Sequence, residues 1–171
     1  MNRRSKPKLA ITILVAAVIV SALAGFIAPY EPNHMNENAI GVAPSMSHIF
    51  GTDNLGRDLF SMILYGGRAS LTIGISSAII GTLIAAVYGT LSGMANKHVD
   101  NQMMKAADLL MSIPGLLLII VLQVILGDAS YWSLSLVIGV TSWMQMSKVI
   151  RSEVIRLRKS DFVIAAKMYG G

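Results

Sequence analysis

Between Arg68 and Lys97 the chain reads ASLTIGISSAIIGTLIAAVYGTLSGMAN, residues 69–96, 28 positions without a charge. A helix crossing the hydrocarbon core of a bilayer needs about 20 mainly apolar residues. A core helix of a soluble protein would carry a polar stripe along one side, and no continuous one runs here. Small residues recur instead. Gly74, Ala78, Gly81, Ala85, Gly89 and Gly93 stand three or four apart, on one helical face. Helices in lipid associate by close packing, which small residues permit. The stretch therefore predicts a transmembrane helix over about Ala69–Ala95 that packs through Gly74, Gly81, Gly89 and Gly93.

Three more windows lack charge: 22 residues between Lys8 and Glu31, 19 between Asp108 and Asp128, and 19 between Asp128 and Lys148. The four windows together take 88 of 171 positions. Charged residues are 13% of the chain, about half the share of a soluble domain. Mean hydropathy is +0.62. The apolar content excludes a disordered chain. The absence of cysteine excludes a disulfide scaffold, a thiol nucleophile and thiolate metal sites. The expected fold is all-α, a polytopic membrane bundle with about four transmembrane helices: Leu9–Ala28, Ala69–Ala95, Leu109–Leu126 and Tyr131–Met146. Main-chain polar groups in lipid must pair internally, and a helix does this within one segment.

Basic residues set the orientation. With the N-terminus inside, the inner segments carry 12 Lys and Arg residues and the outer ones carry Arg57 and Arg68 alone. The positive-inside rule then gives N-in and C-in. The pI near 9.7 follows from this topology, and no nucleic-acid-binding motif accompanies it. A basic start and Ala22-Leu23-Ala24 resemble a cleaved secretory signal. The apolar run continues through Phe26-Ile27-Ala28, which favours a retained anchor. Residues 1–68 are read as an anchor helix and outer loop, and 69–171 as the partial core.

The outer loop holds the densest run of unusual residues, HIFGTDNLGRDLFSMILYGGRASL, from His48 to Leu71. Asp53 suits a helix cap or an Asx turn. Gly51 and Gly56 permit backbone angles that other residues avoid. Arg57 and Asp58 can pair with each other or with neighbours. With Thr52, these residues read as a turn leading into the second helix. On the inner side, Lys105 and Asp108 stand three apart, as on a solvated helix end.

Pro114 falls inside the third window. The 12 residues from Gly115 to Leu126 are too few to span alone, so the helix must begin earlier and kink at Pro114. Gln123 is polar within it and is expected to bond to a neighbouring helix, with lining of a pore as the lesser alternative. Beyond the fourth helix, Ser160 suits an N-cap, Asp161 the positive helix end and Gly170 a C-terminal stop. This predicts a helix of about eight residues on the cytoplasmic side, too short to stand alone in water. Catalytic chemistry is not expected. No Walker A, HExxH or EF-hand pattern occurs. His34, His48 and His98 are scattered across both sides, and no cofactor is expected.

The run FGTDNLGRDLFSMILYGGRASLTIG resembles the segment that precedes the core of permeases in the peptide and nickel branch of ABC importers. VDNQMMKAADLLMSIPGLLL is similar to that family's inner loop and Ile-Pro helix start. KVIRSEVIRLRKSDFVIAAKMYGG resembles the run into its coupling motif, with Ala165, Ala166 and Gly170 at the two-alanine and glycine positions. The departures are Ile164 where Glu is usual, Lys105 where Arg is usual and Gly171 where Ala is usual. The resemblance implies a type I ABC importer permease of the C-type, cut within its coupling motif and lacking two further helices. It implies alternating access for peptides or nickel, in the inner membrane of a bacterial or archaeal cell. The implied partners are a second permease subunit, cytoplasmic ATPases docking on Asp161, Ala165, Ala166 and Gly170, an extracytoplasmic solute-binding protein, and membrane lipid. A truncated, non-transporting membrane protein with a structural or regulatory role is the alternative expectation.

Overall fold

The computed structural model describes residues 5–127 and 130–168. Among them every regular element is helical, and the one strand-like pairing is an isolated bridge between Thr52 and Asp58. The chain divides into two compact units, Met1–Thr72 and Ile73–Gly171.

The first unit contains α1 (Ser5–Ala22), α2 (Ala24–Ile27), a 3-10 turn over Glu37–Ala39 and the start of α3 (Leu59–Met94). Leu9, Ile11, Ile13 and Leu14 of α1 are all exposed. They point several ways around the axis, which suits a helix surrounded by lipid. Near its end α1 approaches α3 closely, and a Cβ on Gly67 would lie 2.5 Å from the Ser21 hydroxyl. α3 starts ten residues before the expected Ala69. Arg68 bounds the charge-free window, but a charge does not interrupt helical hydrogen bonding, and Asp58 supplies the cap. The 36 residues of α3 extend over about 54 Å, so its ends project well past a hydrocarbon core about 30 Å thick.

The second unit contains the rest of α3, then α4 (Lys97–Met111), α5 (Gly115–Leu126), α6 (Tyr131–Arg158) and α7 (Asp161–Met168). Asn96 caps α4 by accepting the Val99 N–H at 2.9 Å. α3 and α6 run parallel. A Cβ on Gly81 would meet the Ser142 hydroxyl at 2.5 Å, one on Gly89 the Ser147 carbonyl at 2.6 Å, and one on Gly93 the Val154 side chain at 2.8 Å. In return, a Cβ on Gly139 of α6 would meet Ile80 at 2.7 Å. Backbone thus lies against backbone, with Ser77, Ala85, Ser92, Ser135 and Ser147 buried between. Gly74 is a correction. It is exposed, and a Cβ there would meet nothing within 4 Å. It shares the angular position of Gly81, but α6 makes no close approach at that level. The buried face begins at Ser77.

Pro114 also differs from expectation. The helix does not kink there but stops. α4 ends at Met111, α5 begins at Gly115, and their axes diverge by 82°. Proline brings no N–H and disfavours helical angles at Ile113 before it. Pro114 itself stands as the N-cap of α5, with extended ψ of 120°. α5 then returns antiparallel to α6, and Gln123 donates to the Ser133 hydroxyl across the pair at 3.0 Å. Among the described residues, α3 alone is long and apolar enough to cross a membrane by itself. The bent α4–α5 pair satisfies the same criterion when taken together, and Lys8–Ala22 is apolar but shorter.

The two glycines give a direct comparison. Gly89→Ala forces a methyl onto the Ser147 carbonyl and should destabilise by about 1–3 kcal/mol. Gly74→Ala meets open space and gains helix propensity, so it should be neutral or stabilising by up to about 1 kcal/mol. Thermal unfolding of the detergent-solubilised variants checks both.

Candidate functional site

Charged groups converge at the end of the second unit where α3 gives way to α4. Asp100 sits in the first turn of α4 and is 8% exposed. The Arg151 guanidinium of α6 grips it with both arms, Nε to Oδ1 and Nη2 to Oδ2, each at 2.5 Å. The Ser92 hydroxyl of α3 donates to the same carboxylate at 2.5 Å. Three helices are thereby fastened at one carboxylate. A two-armed arginine pair is among the stronger and more directional polar contacts.

Further contacts surround this clasp. Arg158, at the last residue of α6, donates to the Gly93 carbonyl of α3 at 2.7 Å. Lys148 pairs with Asp108, so Asp108 bonds across to α6 rather than to Lys105 on its own helix. The Tyr88 hydroxyl donates to the Met103 carbonyl at 2.8 Å, and its ring lies 4.5 Å from that of Trp143. Asp100 lies outside the charge-free windows. The Arg151 hydrogen bonds hold its carboxyl below the usual aspartate range, ahead of the opposing effect of burial, and Asp100 in turn raises Arg151. Sequence reading missed this pair. Its members stand 51 residues apart, and no local spacing joins them.

α7 follows directly. Asp161 lies in its first turn, and Asp161, Ile164, Ala165 and Met168 are exposed. Ala166 falls within the helix, and Gly170 lies outside the described residues. Ser160 does not cap through its hydroxyl. That group donates backwards to the Leu157 carbonyl at 2.5 Å, while the Ser160 carbonyl accepts from Val163 and Ile164. The bond to Leu157 ties the start of α7 to the end of α6.

In the first unit, the FGTDNLGRD run closes on itself. Asp53 forms an Asx turn, its Oδ1 accepting the Leu55 and Arg57 N–H groups at 2.9 Å, and its Oδ2 accepting Arg57 Nε at 2.8 Å. Gly51 and Gly56 have φ of +76° and +72°. A Cβ on Gly51 would lie 2.5 Å from the Val42 carbonyl, and one on Gly56 would overlap that of Asn36. Thr52 is buried, donating to the Ala39 carbonyl at 2.5 Å and accepting from Val42 N–H at 2.9 Å. Asp58 caps α3, with Oδ2 accepting both the N–H and the hydroxyl of Ser61 at 2.8 Å. Its other oxygen meets His48 Nδ1 at 2.9 Å, and the His48 ring stacks on Tyr30. Burial works to raise the Asp58 carboxyl, but the bonds from Ser61 and His48 outweigh it and hold the group low. The Arg57 N–H and guanidinium hold Asp53 low as well. Arg57 and Asp58 therefore pair with different neighbours, not with each other, and the His48 and Tyr30 contacts had no local sequence signal.

Two outcomes follow. Arg151→Ala leaves a buried carboxylate short of its partner and should cost about 1–3 kcal/mol, while Asp100→Ala/Arg151→Ala together should cost less than the sum of the two singles. Thermal unfolding of the four proteins checks this cycle. Because Asp58 and Asp100 are held low, their contribution is complete above about pH 4 and is lost as pH falls through the lowered values. Unfolding followed from pH 6 to pH 2 should show a steep acid loss that Asp100→Asn makes shallower.

Residues 79–170 match the family described as the binding-protein-dependent transport system inner membrane component. The chain is 32% identical over 172 residues to the dipeptide transport system permease protein DppC of Bacillus subtilis, covering 99% of this chain and 53% of that protein. It is 32% identical over 158 residues to the oligopeptide transport system permease protein OppC of the same organism, covering 92% and 52%. The oligopeptide transport system permease protein OppC of Haemophilus influenzae is 32% identical over 170 residues, covering 98% and 54%. The chain thus spans about half the length of the curated relatives it matches. With its all-helical fold, its apolar span and a match over most of the second unit, the chain belongs to the binding-protein-dependent transport system inner membrane components.

Proposed function

We propose that this chain forms part of the translocation path of an ATP-driven importer for peptides. The observation that carries the reading is the family match over residues 79–170. Peptide is favoured over nickel because the relatives above are named as dipeptide and oligopeptide permeases. The chain crosses the membrane four times with both ends inside, as its basic residues argue. A second permease subunit completes the path, a solute-binding protein delivers peptide from outside, and cytoplasmic ATPases drive the switch. The docking surface for the ATPase is α7, around Asp161, Ala165, Ala166 and Gly170. Two features support this assignment. α7 exposes Ile164, Ala165 and Met168, although a helix of eight residues needs a surface to pack on. It also follows α6 directly, whose end is fastened to α3 by Arg158.

Two experiments bear on these statements. Removing the chain from its native membrane should abolish a component of labelled dipeptide uptake that restoring it brings back, and unchanged uptake would overturn the peptide reading. Because the chain has no cysteine, Ala165→Cys introduces a single reactive thiol. Crosslinking from that thiol should capture the ATPase in an active complex, and no crosslink there would remove α7 as its dock.

A further inference from the structure

A cavity of about 340 Å³ lies in the second unit, between the α4–α5 break and α6. It falls at the lower end of the roughly 300–1,000 Å³ usual for small-molecule sites. One wall is polar and belongs to a single face of α6: Thr141, Ser142 and Gln145, at positions i, i+1 and i+4. The facing wall is apolar, with Met111 and Leu118 on either side of the break. Gly115, the first residue of α5, also lines it, and a Cβ there would meet nothing within 4 Å.

The two hydroxyls on this wall already donate elsewhere. Thr141 donates to the Val137 carbonyl at 2.9 Å and Ser142 to the Gly139 carbonyl at 3.2 Å. Both keep acceptor capacity toward the cavity. The Gln145 amide makes no hydrogen bond among the described residues, and it lies within the charge-free stretch of α6. Its side chain is exposed near the inner end of that stretch, three residues before Lys148, and is open to a ligand entering the cavity. A carboxamide both donates and accepts, which matches the paired N–H and C=O of a peptide main chain. An apolar wall opposite suits a side chain.

Resting on the peptide reading above, we propose that this cavity is a peptide subsite in the path, with Gln145 as the residue that engages a main-chain amide of the transported peptide. The break at Pro114 creates the site. By ending α4 and turning α5 away by 82°, it opens space against α6 that a continuous helix would fill. Gly115 leaves that space open at the start of α5.

The test is uptake by the complete transporter in its native membrane, with labelled dialanine and labelled alanyl-sarcosine, whose amide carries a methyl in place of its hydrogen. Gln145→Leu keeps the volume and removes the amide. Gly115→Leu places a bulky side chain at the cavity wall, where its Cβ meets nothing within 4 Å. Uptake of dialanine at low concentration should fall about tenfold in Gln145→Leu, the worth of one hydrogen bond. Preference for dialanine over alanyl-sarcosine should shrink with it. Gly115→Leu should depress uptake of both, while Gly74→Ala leaves uptake as in the parent. Variants are compared at equal amounts of assembled complex. If Gly115→Leu does not assemble, Gln145→Leu alone decides. Parent-level uptake and preference in an assembled Gln145→Leu would overturn the subsite while leaving peptide transport standing. Failure of the parent itself to take up either peptide would instead overturn the peptide reading, and the subsite with it.

Discussion

The second unit depends on how closely α3 and α6 approach. Where Gly81, Gly89 and Gly93 meet α6, a single methyl would strike a hydroxyl, a carbonyl or a valine. In lipid there is little hydrophobic gain from bringing two apolar helices together, so packing and hydrogen bonding must supply the association. Glycine and serine on both helices allow many atoms to reach contact distance at once. Parallel pairing has a topological consequence. Two parallel helices in one chain need a return between them, and α4 and α5 provide it. Everything else in the unit is arranged on this frame: the return is fastened to α6 by Asp100–Arg151 at one end and by Gln123–Ser133 at the other.

Much of this frame is legible in the amino-acid sequence. Lack of charge over 69–96 marks a membrane helix because the penalty for a charge in hydrocarbon is large and local. The spacing of Gly81, Gly89 and Gly93 marks a packed face because helical period alone places them together. These are properties of one segment, and sequence reports them well. Gly74 has the same spacing and yet meets nothing, because whether a face is covered depends on where the partner helix runs. Pro114 signals an interruption, but whether the chain bends or stops depends on what neighbouring segments do with the freed ends. The Asp100–Arg151 clasp and the His48–Asp58 contact join residues from separate segments, and only the fold brings them together.

The two units stabilise their termini by the same chemistry used differently. Asp58 begins α3 by accepting the N–H and hydroxyl of Ser61, a cap that satisfies otherwise unpaired helical donors. Asp100, also in the first turn of a helix, is held by arginine and serine from two other helices. The first carboxylate fixes where a helix starts, and the second fixes which helices stay together. Loop residues Gly51 and Gly56 serve the first purpose indirectly. Their positive φ lets the backbone pass against Val42 and Asn36, which keeps the loop folded against the residues that orient Asp58.

The clasp and the short last helix bear on how force would pass along the chain. Arg151 and Arg158 lie seven residues apart on α6, close to two turns and so on the same face, and both reach toward the end of α3. α7 begins three residues after Arg158, with the Ser160 hydroxyl bonded back to Leu157. A displacement of α7 therefore acts on the fastened end of α6. From there it reaches α3 through the Gly93 carbonyl and Ser92, and α4 through Asp100. The α4–α5 break follows this cluster closely, since Asp108, three residues before the end of α4, pairs with Lys148 of α6. Past the break, α5 returns along α6 with the Gln123 amide bonded to the Ser133 hydroxyl.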